Sequence, residues 1–301
     1  MKNHLSLKLA AVTIAVALCT VFALSACGKS KGTIKVGSKN FTESEIIAEI
    51  YALALEDAGY KVDRSFDISG STIHTTLVHD DIDLYPAYTG TALLSVLKRP
   101  LQTDPQKVYA TVKTVYKKKW NIEWLDYAKA TDSQGLAITT SAAKKYHIKT
   151  ISDLQKHAAQ LRFASQGEFD ERSDGLPGLT KTYGAFHWRS SKIYDNALKY
   201  QVLLKGQADV TPCYTTEGQL TNKKLTLLTD DKHFWPPYNV APVVRGSVLK
   251  AHPDIAKTLN AVSKHLTTAA LTKLNAKVDV DKEDAEDVAK DFYDSIADDL
   301  K

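Results

Sequence analysis

The sequence has only three cysteines in 301 residues, and their positions leave little room for cysteine chemistry. Cys19 and Cys27 lie in or directly after the apolar N-terminal segment, so Cys213 is the only thiol in the remainder. One thiol excludes an intrachain disulfide there, and it also excludes a metal site built from cysteines. We interpret Cys213 as a small, partly buried residue beside Tyr214; a catalytic thiol is the alternative.

The sequence also lacks the short motifs of common enzyme classes. It contains no GxSxG elbow, P-loop, GxGxxG or HExxH, and its nine histidines show no ligand-like spacing. The sequence therefore predicts no metal, no cofactor and no enzymatic activity. The formal charge of +4 falls to +2 without Lys2 and Lys8, because residues 1–26 contain no acid. So small an excess gives no argument for nucleic-acid binding.

The longest apolar run lies at the N-terminus. Two lysines precede the apolar stretch Leu9 to Leu24, and small residues follow it. This order is typical of a secretory signal peptide, which we place at residues 1–26. Leu24-Ser-Ala-Cys27 resembles a bacterial lipobox, which implies lipid attachment (palmitate) to Cys27 and a tether at residues 27–32. The protein would then be anchored on the outer face of the cytoplasmic membrane; an ordinary signal peptide is the alternative.

The rest of the chain alternates short strands with helical patterns, which predicts open α/β lobes. Its length makes two lobes a reasonable expectation. A strand at residues 33–37 precedes a helix that Thr42-Glu-Ser-Glu45 would open as a capping box. The junction at residues 38–43 should lie at the carboxyl edge of a parallel sheet, where ligands bind. Further helices are predicted at residues 251–266 and 282–300.

Three tyrosines stand in turn-like stretches with Gly, Pro or Thr neighbours: Tyr88, Tyr214 and Tyr238. Aromatic faces attract cations that cannot be hydrogen-bonded, such as a quaternary ammonium. Each ring alone would be interpreted as a surface or half-buried residue. Loops at strand ends are nevertheless where ligand-binding groups converge.

Two charged segments accompany the tyrosines. Lys39 lies within residues 38–43 and Arg172 within residues 168–175, and both residue types bind carboxylates. The alternatives are a solvated Lys39, and a salt bridge from Arg172 to Glu168, Asp170 or Asp174. Together the rings and cations predict a pocket for a betaine-type zwitterion. We expect the rings at one end of that pocket and the positive charge at the other.

Longer motifs then indicate a family. From about Lys35 onward the chain resembles the glycine betaine, carnitine and choline-binding lipoproteins of osmoprotectant ABC importers. The resemblance implies a two-lobed, type II periplasmic-binding-protein-like α/β fold with two crossover strands and the ligand in the cleft. Lobe 1 would comprise residues 33–134 plus 239–301, and lobe 2 residues 135–238. The motifs are Gly37-Ser-Lys-Asn-Phe-Thr-Glu43, Asp83-Leu-Tyr-Pro-Ala-Tyr-Thr-Gly-Thr-Ala-Leu93, Asp174-Gly-Leu-Pro-Gly-Leu179, Tyr214-Thr-Thr-Glu-Gly-Gln-Leu220 and Asp230-Asp-Lys-His-Phe-Trp-Pro-Pro-Tyr238.

The family's ligand-binding residues can be carried over by position. Its tyrosine cage for the trimethylammonium group matches Tyr88, Tyr214 and Tyr238. Its Lys, Arg and Thr for the carboxylate match Lys39, Arg172 and Thr91. One position departs from the family pattern: Gln134 stands where the family usually has another cage tyrosine. A ligand with a larger or more polar body, such as carnitine or the histidine-derived betaine ergothioneine, could use that space.

The resemblance implies capture and delivery without chemistry. A monomeric receptor would bind its betaine, or choline, and dock on an ABC permease powered by a separate ATPase subunit. The competing classes are a secreted small-molecule enzyme on the same scaffold and a surface adhesin or regulator.

Overall fold

The computed structural model describes residues 30–300, so the predicted signal peptide and Cys27 lie outside the described residues. Ten strands are present in this part of the chain, together with helices of various lengths. The strands are β1 (Thr33–Lys39), β2 (Lys61–Ile68), β3 (Leu84–Tyr88), β4 (Ile122–Trp124), β5 (Gln134–Thr139), β6 (Arg162–Ser165), β7 (Ser190–Ile193), β8 (Val210–Tyr214), β9 (Leu225–Leu227) and β10 (Val240–Arg245). The α-helices are α1 (Thr42–Asp57), α2 (Ile73–Val78), α3 (Thr89–Thr91), α4 (Pro105–Trp120), α5 (Thr140–Lys145), α6 (Ile151–His157), α7 (Gly167–Glu171), α8 (Leu176–Tyr183), α9 (Lys199–Leu204), α10 (Gly246–Ala251), α11 (Asp254–His265), α12 (Thr268–Asp279) and α13 (Ala285–Ile296).

The strands form two five-stranded sheets with matching order. The first sheet runs β2-β1-β3-β10-β4 and the second runs β7-β6-β8-β5-β9. In the first, β1 pairs in parallel with β2 and β3, while β10 is antiparallel to β3 and β4. In the second, β6 pairs in parallel with β7 and β8, while β5 is antiparallel to β8 and β9. The carboxyl ends of the parallel strands therefore form one edge in each sheet, the place where open α/β sheets bind ligands.

The chain passes between the two sheets twice. It leaves the first sheet after β4, enters the second at β5, and returns between β9 and β10. The two connections touch each other, because Thr131 and Asn239 form an antiparallel bridge. A further contact joins the halves where Gly218 lies against α12: a Cβ there would stand 2.5 Å from the Ala276 Cα.

Each sheet is covered on both faces by apolar side chains. Helix α1 buries Ile46, Ile47 and Ile50 against β1, β3, β10 and the C-terminal helices. The opposite face of the first sheet packs on α2 and α4. The second sheet has its own two clusters, centred on Phe163 and on Tyr200. This layering is what fixes the loops at the sheet edges.

The structure differs from the local predictions in three places. The capping box is wrong: Phe41 is the N-cap of α1, and the Ser44 hydroxyl accepts the Lys39 backbone N–H at 2.9 Å instead. The helix predicted over residues 251–266 is interrupted near Pro253, whose ring is incompatible with a helix interior. Strand β7 escaped notice because its residues are all exposed and carry no apolar alternation. No helix within residues 30–300 is both long and apolar enough to cross a bilayer.

Candidate functional site

A cleft of about 810 Å³ lies between the two sheets, and residues from both sides and from the crossovers line it. All seven residues predicted to bind ligand are among its lining. The set comprises Lys39, Tyr88, Thr91, Gln134, Arg172, Tyr214 and Tyr238.

Strand ends explain why distant residues meet there. Lys39, Tyr88 and Tyr214 are the last residues of β1, β3 and β8, so they lie at the carboxyl edges of the parallel strands. Gln134 opens β5 and is the direct antiparallel partner of Tyr214. Tyr238 lies just before β10, and Gly90 gives it room because a Cβ there would stand 2.7 Å from its ring.

Tyr88 and Lys39 lie against each other. The Lys39 ammonium is 4.8 Å from the Tyr88 ring centroid, and the Phe41 ring lies 5.9 Å from the same ring. The Tyr88 hydroxyl donates to Glu43 Oε1 at 2.8 Å. Burial lowers the pKa of Lys39 to about 8, although the charges of Asp132 and Glu43 oppose that shift. The expected separation of rings from positive charge therefore does not hold for Lys39, and the solvated alternative is wrong because the residue is 9% exposed.

Two carboxylates, those of Glu43 and Asp132, line the cleft close enough to Lys39 for their charges to act on it. Asn275 on α12 donates to Glu43 Oε2 at 3.0 Å and to the Thr216 carbonyl oxygen at 2.8 Å. The Thr216 hydroxyl donates to Asp132 Oδ1 at 2.6 Å, which links the second sheet to the crossover. Burial raises the pKa of Asp132 well above its usual range, and the Glu43 charge adds to the effect. Burial likewise raises the pKa of Glu43.

Arg172, Gln134 and Tyr238 converge on one buried carboxylate. Arg172 forms a two-pronged salt bridge to Asp174, with Nε–Oδ1 at 2.8 Å and Nη2–Oδ2 at 2.6 Å. Gln134 Nε2 donates to Asp174 Oδ2 at 2.6 Å, and the Tyr238 hydroxyl donates to the same oxygen at 3.1 Å. The salt bridge considered as the alternative for Arg172 is thus present, with Asp174. It does not remove Arg172 from the cleft, since 41% of its side chain is exposed.

Tyr214 presents the most open ring of the three. It is 40% exposed, whereas Tyr88 and Tyr238 are almost completely buried. Behind it, Lys199 is buried and its ammonium bonds to Glu217 Oε1 at 2.6 Å. Cys213 is buried beside these groups, and burial with the nearby Glu217 charge raises the pKa of its thiol. A thiol with a raised pKa is a poor nucleophile, which supports the interpretation of Cys213 as a packing residue.

The sequence reasoning missed several residues of the cleft. Phe41 stands in the quoted 37–43 motif and is an exposed aromatic at the start of a helix, a signal that could have been used. Asp174 opens another quoted motif, but we considered it only as a possible salt-bridge partner of Arg172. Glu43, Asp132 and Asn275 meet only through the fold, and no local pattern connects them.

Residues 32–295 match the model of the OpuAC family, described as the substrate binding domain of ABC-type glycine betaine transport system. The chain belongs to this family. Membership confirms the resemblance inferred from the motifs, the two-lobed α/β fold and the role as a solute-binding receptor of an ABC importer. As a member, the chain has a small-molecule ligand and a permease partner, and it works outside the cytoplasm.

Two curated relatives differ in the ligand that their names state. The chain is 36% identical over 264 residues to an ergothioneine transport permease/ergothioneine binding protein of Helicobacter pylori. That match covers 87% of this chain but 47% of the relative, so the chain spans about half of that longer protein. It is 32% identical over 272 residues to the carnitine transport binding protein OpuCC of Listeria monocytogenes, covering 88% and 87% of the two chains.

A solved structure shares the architecture. A crystal structure described as a glycine betaine/carnitine/choline ABC transporter superposes with a TM-score of 0.82 at 29% identity. The match covers 88% of this chain and 98% of that one. Both relatives and this structure are transport proteins rather than enzymes.

Proposed function

We propose that the protein captures a zwitterionic betaine in the cleft between residues 33–134 plus 239–301 and residues 135–238. The observation that carries the proposal is the meeting of three tyrosine rings with Lys39 and Arg172 in one cleft. A quaternary ammonium has no N–H and holds its water loosely, so aromatic faces can replace that water at small cost. The carboxylate of the same ligand would bind Lys39, Arg172 and Thr91.

The mechanism is capture by closure. Ligand groups contact both halves of the cleft, so binding favours the closed arrangement over the open one. Each desolvated aromatic contact contributes about 2 kcal/mol of binding free energy. The sum of these contributions must exceed the free-energy cost of ordering the side chains and closing the cleft. The closed form then docks on the permease, and an ATPase subunit drives import. We further propose that the protein is a monomer without enzymatic activity, held at the outer face of the membrane by lipid on Cys27.

A second ligand class is a betaine with a larger body, such as ergothioneine. Gln134 favours it, because an amide replaces the aromatic ring expected at the crossover and is hydrogen-bonded within the cleft. The similarity to the Helicobacter pylori ergothioneine-binding protein points the same way.

The test is a thermal-shift panel followed by calorimetry, with glycine betaine, proline betaine, carnitine, choline and ergothioneine. We expect a saturable rise in Tm for at least one betaine. No shift with any of the five, in protein shown to be folded by circular dichroism, would contradict the proposal. Glycine serves as the negative control because it has a carboxylate but lacks the methylated nitrogen.

A further inference from the structure

The side chain of Asp174 is the meeting point of three proposed ligand-binding residues. It is 5% exposed and accepts hydrogen bonds from Arg172 Nε and Nη2, Gln134 Nε2 and the Tyr238 hydroxyl, all between 2.6 and 3.1 Å. A carboxylate has about four lone-pair sites, so these donors occupy its capacity. Asp174 is therefore enclosed by the binding residues, and its carboxylate is already saturated by protein donors.

The backbone around Asp174 is held tightly. A Cβ on Gly175 would stand 2.1 Å from the Phe169 carbonyl oxygen, so a larger residue cannot occupy this position without a backbone shift. Trp235 Nε1 donates to the Asp174 carbonyl oxygen at 2.8 Å. The carboxylate consequently has a fixed position from which to orient its partners.

The orientation of the Gln134 amide follows from the chemistry of Asp174. Burial would raise the pKa of Asp174, but the hydrogen bonds and positive charge of Arg172 outweigh burial and lower it. An ionised carboxylate accepts hydrogen bonds and donates none, so it must face the amino group of the amide. One N–H of Gln134 Nε2 is committed to Asp174, which fixes the orientation of the amide, and Oε1 is the acceptor that Gln134 can then offer to a ligand.

We propose that Asp174 is a positioning residue that turns the Gln134 carbonyl oxygen toward the ligand and so selects betaines carrying an N–H or O–H donor on their body. This inference rests on the proposed betaine-binding function and specifies the ligand within it. A tyrosine at this place would offer a ring face to methyl groups. The amide instead offers an acceptor, which a ligand without a donor leaves unsatisfied.

The experiment compares affinities for matched ligand pairs by calorimetry. Carnitine and γ-butyrobetaine differ by one hydroxyl donor, and ergothioneine can be paired with its ring N-methylated analogue. For at least one pair, we expect the wild-type protein to prefer the donor-bearing member about tenfold, in line with one hydrogen bond. Gln134→Leu should abolish the preference. Asp174→Asn should reduce it, because an asparagine can donate to Oε1 and allow the Gln134 amide to reverse.

The ratio within a pair separates positioning from general structural damage. A variant that merely loosens the cleft weakens both ligands of a pair equally and leaves the ratio unchanged. Thr216→Val is the matched control: it removes a hydrogen bond to the other buried carboxylate, that of Asp132, without touching Asp174, so the ratio should stay at the wild-type value.

Two results would overturn the inference while leaving the proposed function standing. One is equal wild-type affinity for both members of each pair. The other is an unchanged ratio in folded Asp174→Asn protein. Absence of binding by every betaine would instead overturn the proposed function itself.

Discussion

Tyr214→Ala should weaken binding of a trimethylammonium ligand about 30-fold. Tyr214 is the most exposed of the three rings, and the Lys199 ammonium behind it lies 5.9 Å from its centroid, farther than the 4.8 Å between the Lys39 ammonium and the Tyr88 centroid. The exposed part of the Tyr214 ring is therefore the more open to a ligand. One desolvated cation–π contact is worth about 2 kcal/mol. Since ~1.4 kcal/mol corresponds to a tenfold change in affinity, the loss of one ring gives the factor stated.

Replacement by phenylalanine should have a different effect at Tyr214 than at Tyr88 and Tyr238. Within residues 30–300, burial and neighbouring charges act on the Tyr214 hydroxyl but no hydrogen bond does, so Tyr214→Phe should keep affinity within about threefold and leave Tm unchanged. The Tyr88 and Tyr238 hydroxyls donate to the carboxylates of Glu43 and Asp174. Their phenylalanine variants should lose about 1.5–3 kcal/mol of stability, because hydrogen bonds to charged groups are the stronger ones.

Calorimetry with glycine betaine and its isostere 3,3-dimethylbutanoate, which keeps the carboxylate but has a neutral carbon in place of the cationic nitrogen, provides the decisive comparison. The two ligands have the same shape, so Tyr214→Ala should penalise the ligand with the cationic nitrogen more. Tyr146→Ala is the control, because Lys145 lies 5.0 Å from the Tyr146 ring centroid but Tyr146 does not line the cleft. An equal loss for both ligands, or a Phe variant as weak as the Ala variant, would refute the cation–π reasoning.

Four further outcomes are expected. Arg172→Ala should weaken a betaine tenfold or more, by ~1.5–3 kcal/mol, but choline much less, since choline has no carboxylate; calorimetry showing equal losses would contradict this. Betaine affinity should fall as pH rises through about 8, where Lys39 loses its proton, and Lys39→Met should abolish that dependence. Asp132→Asn should raise Tm more at neutral pH than near pH ~4, the pKa of an aspartate in the unfolded chain. The folded protein keeps the Asp132 carboxyl protonated to higher pH, so the wild type loses stability as pH rises from that value toward the raised pKa, and the asparagine variant avoids this loss. A difference in Tm that does not change with pH would contradict this reasoning. Gly218→Ala should destabilise the fold by about 1–3 kcal/mol in urea titrations, since its Cβ would meet the backbone of Ala276, and unchanged stability would disprove that contact.

The sequence predicted the parts of the site that depend on strand ends. Tyr88 and Tyr214 were expected in turn-like loops at strand ends; the structure places them, like Lys39, at the last residue of a strand, and a parallel sheet gathers such ends at one edge. They line the cleft together with Arg172 and Tyr238, and their role in binding a ligand stays a prediction.

The polar network of the cleft could not be predicted in the same way. Asn275 and Glu43 are separated by 232 positions, and their hydrogen bond exists only because α12 packs beside α1. Periodicity identifies which face of a helix is buried, but it does not state which polar group a buried polar residue will face. The contact of Lys39 with Tyr88 has the same origin, because two separate strands bring these residues together.

That contact between Lys39 and Tyr88 changes how ligand entry should be pictured. The lysine ammonium lies over the Tyr88 ring, and this is the same kind of contact that we propose for the methylated nitrogen of a ligand. A zwitterion can complete an exchange, since its cationic head takes over the ring while its anionic tail draws the lysine aside. Choline can displace the lysine but offers it no new counter-ion. If Tyr88 and Lys39 bind the ligand as proposed, we expect the receptor to distinguish ligands by the dipole of the whole molecule rather than by either charged end alone.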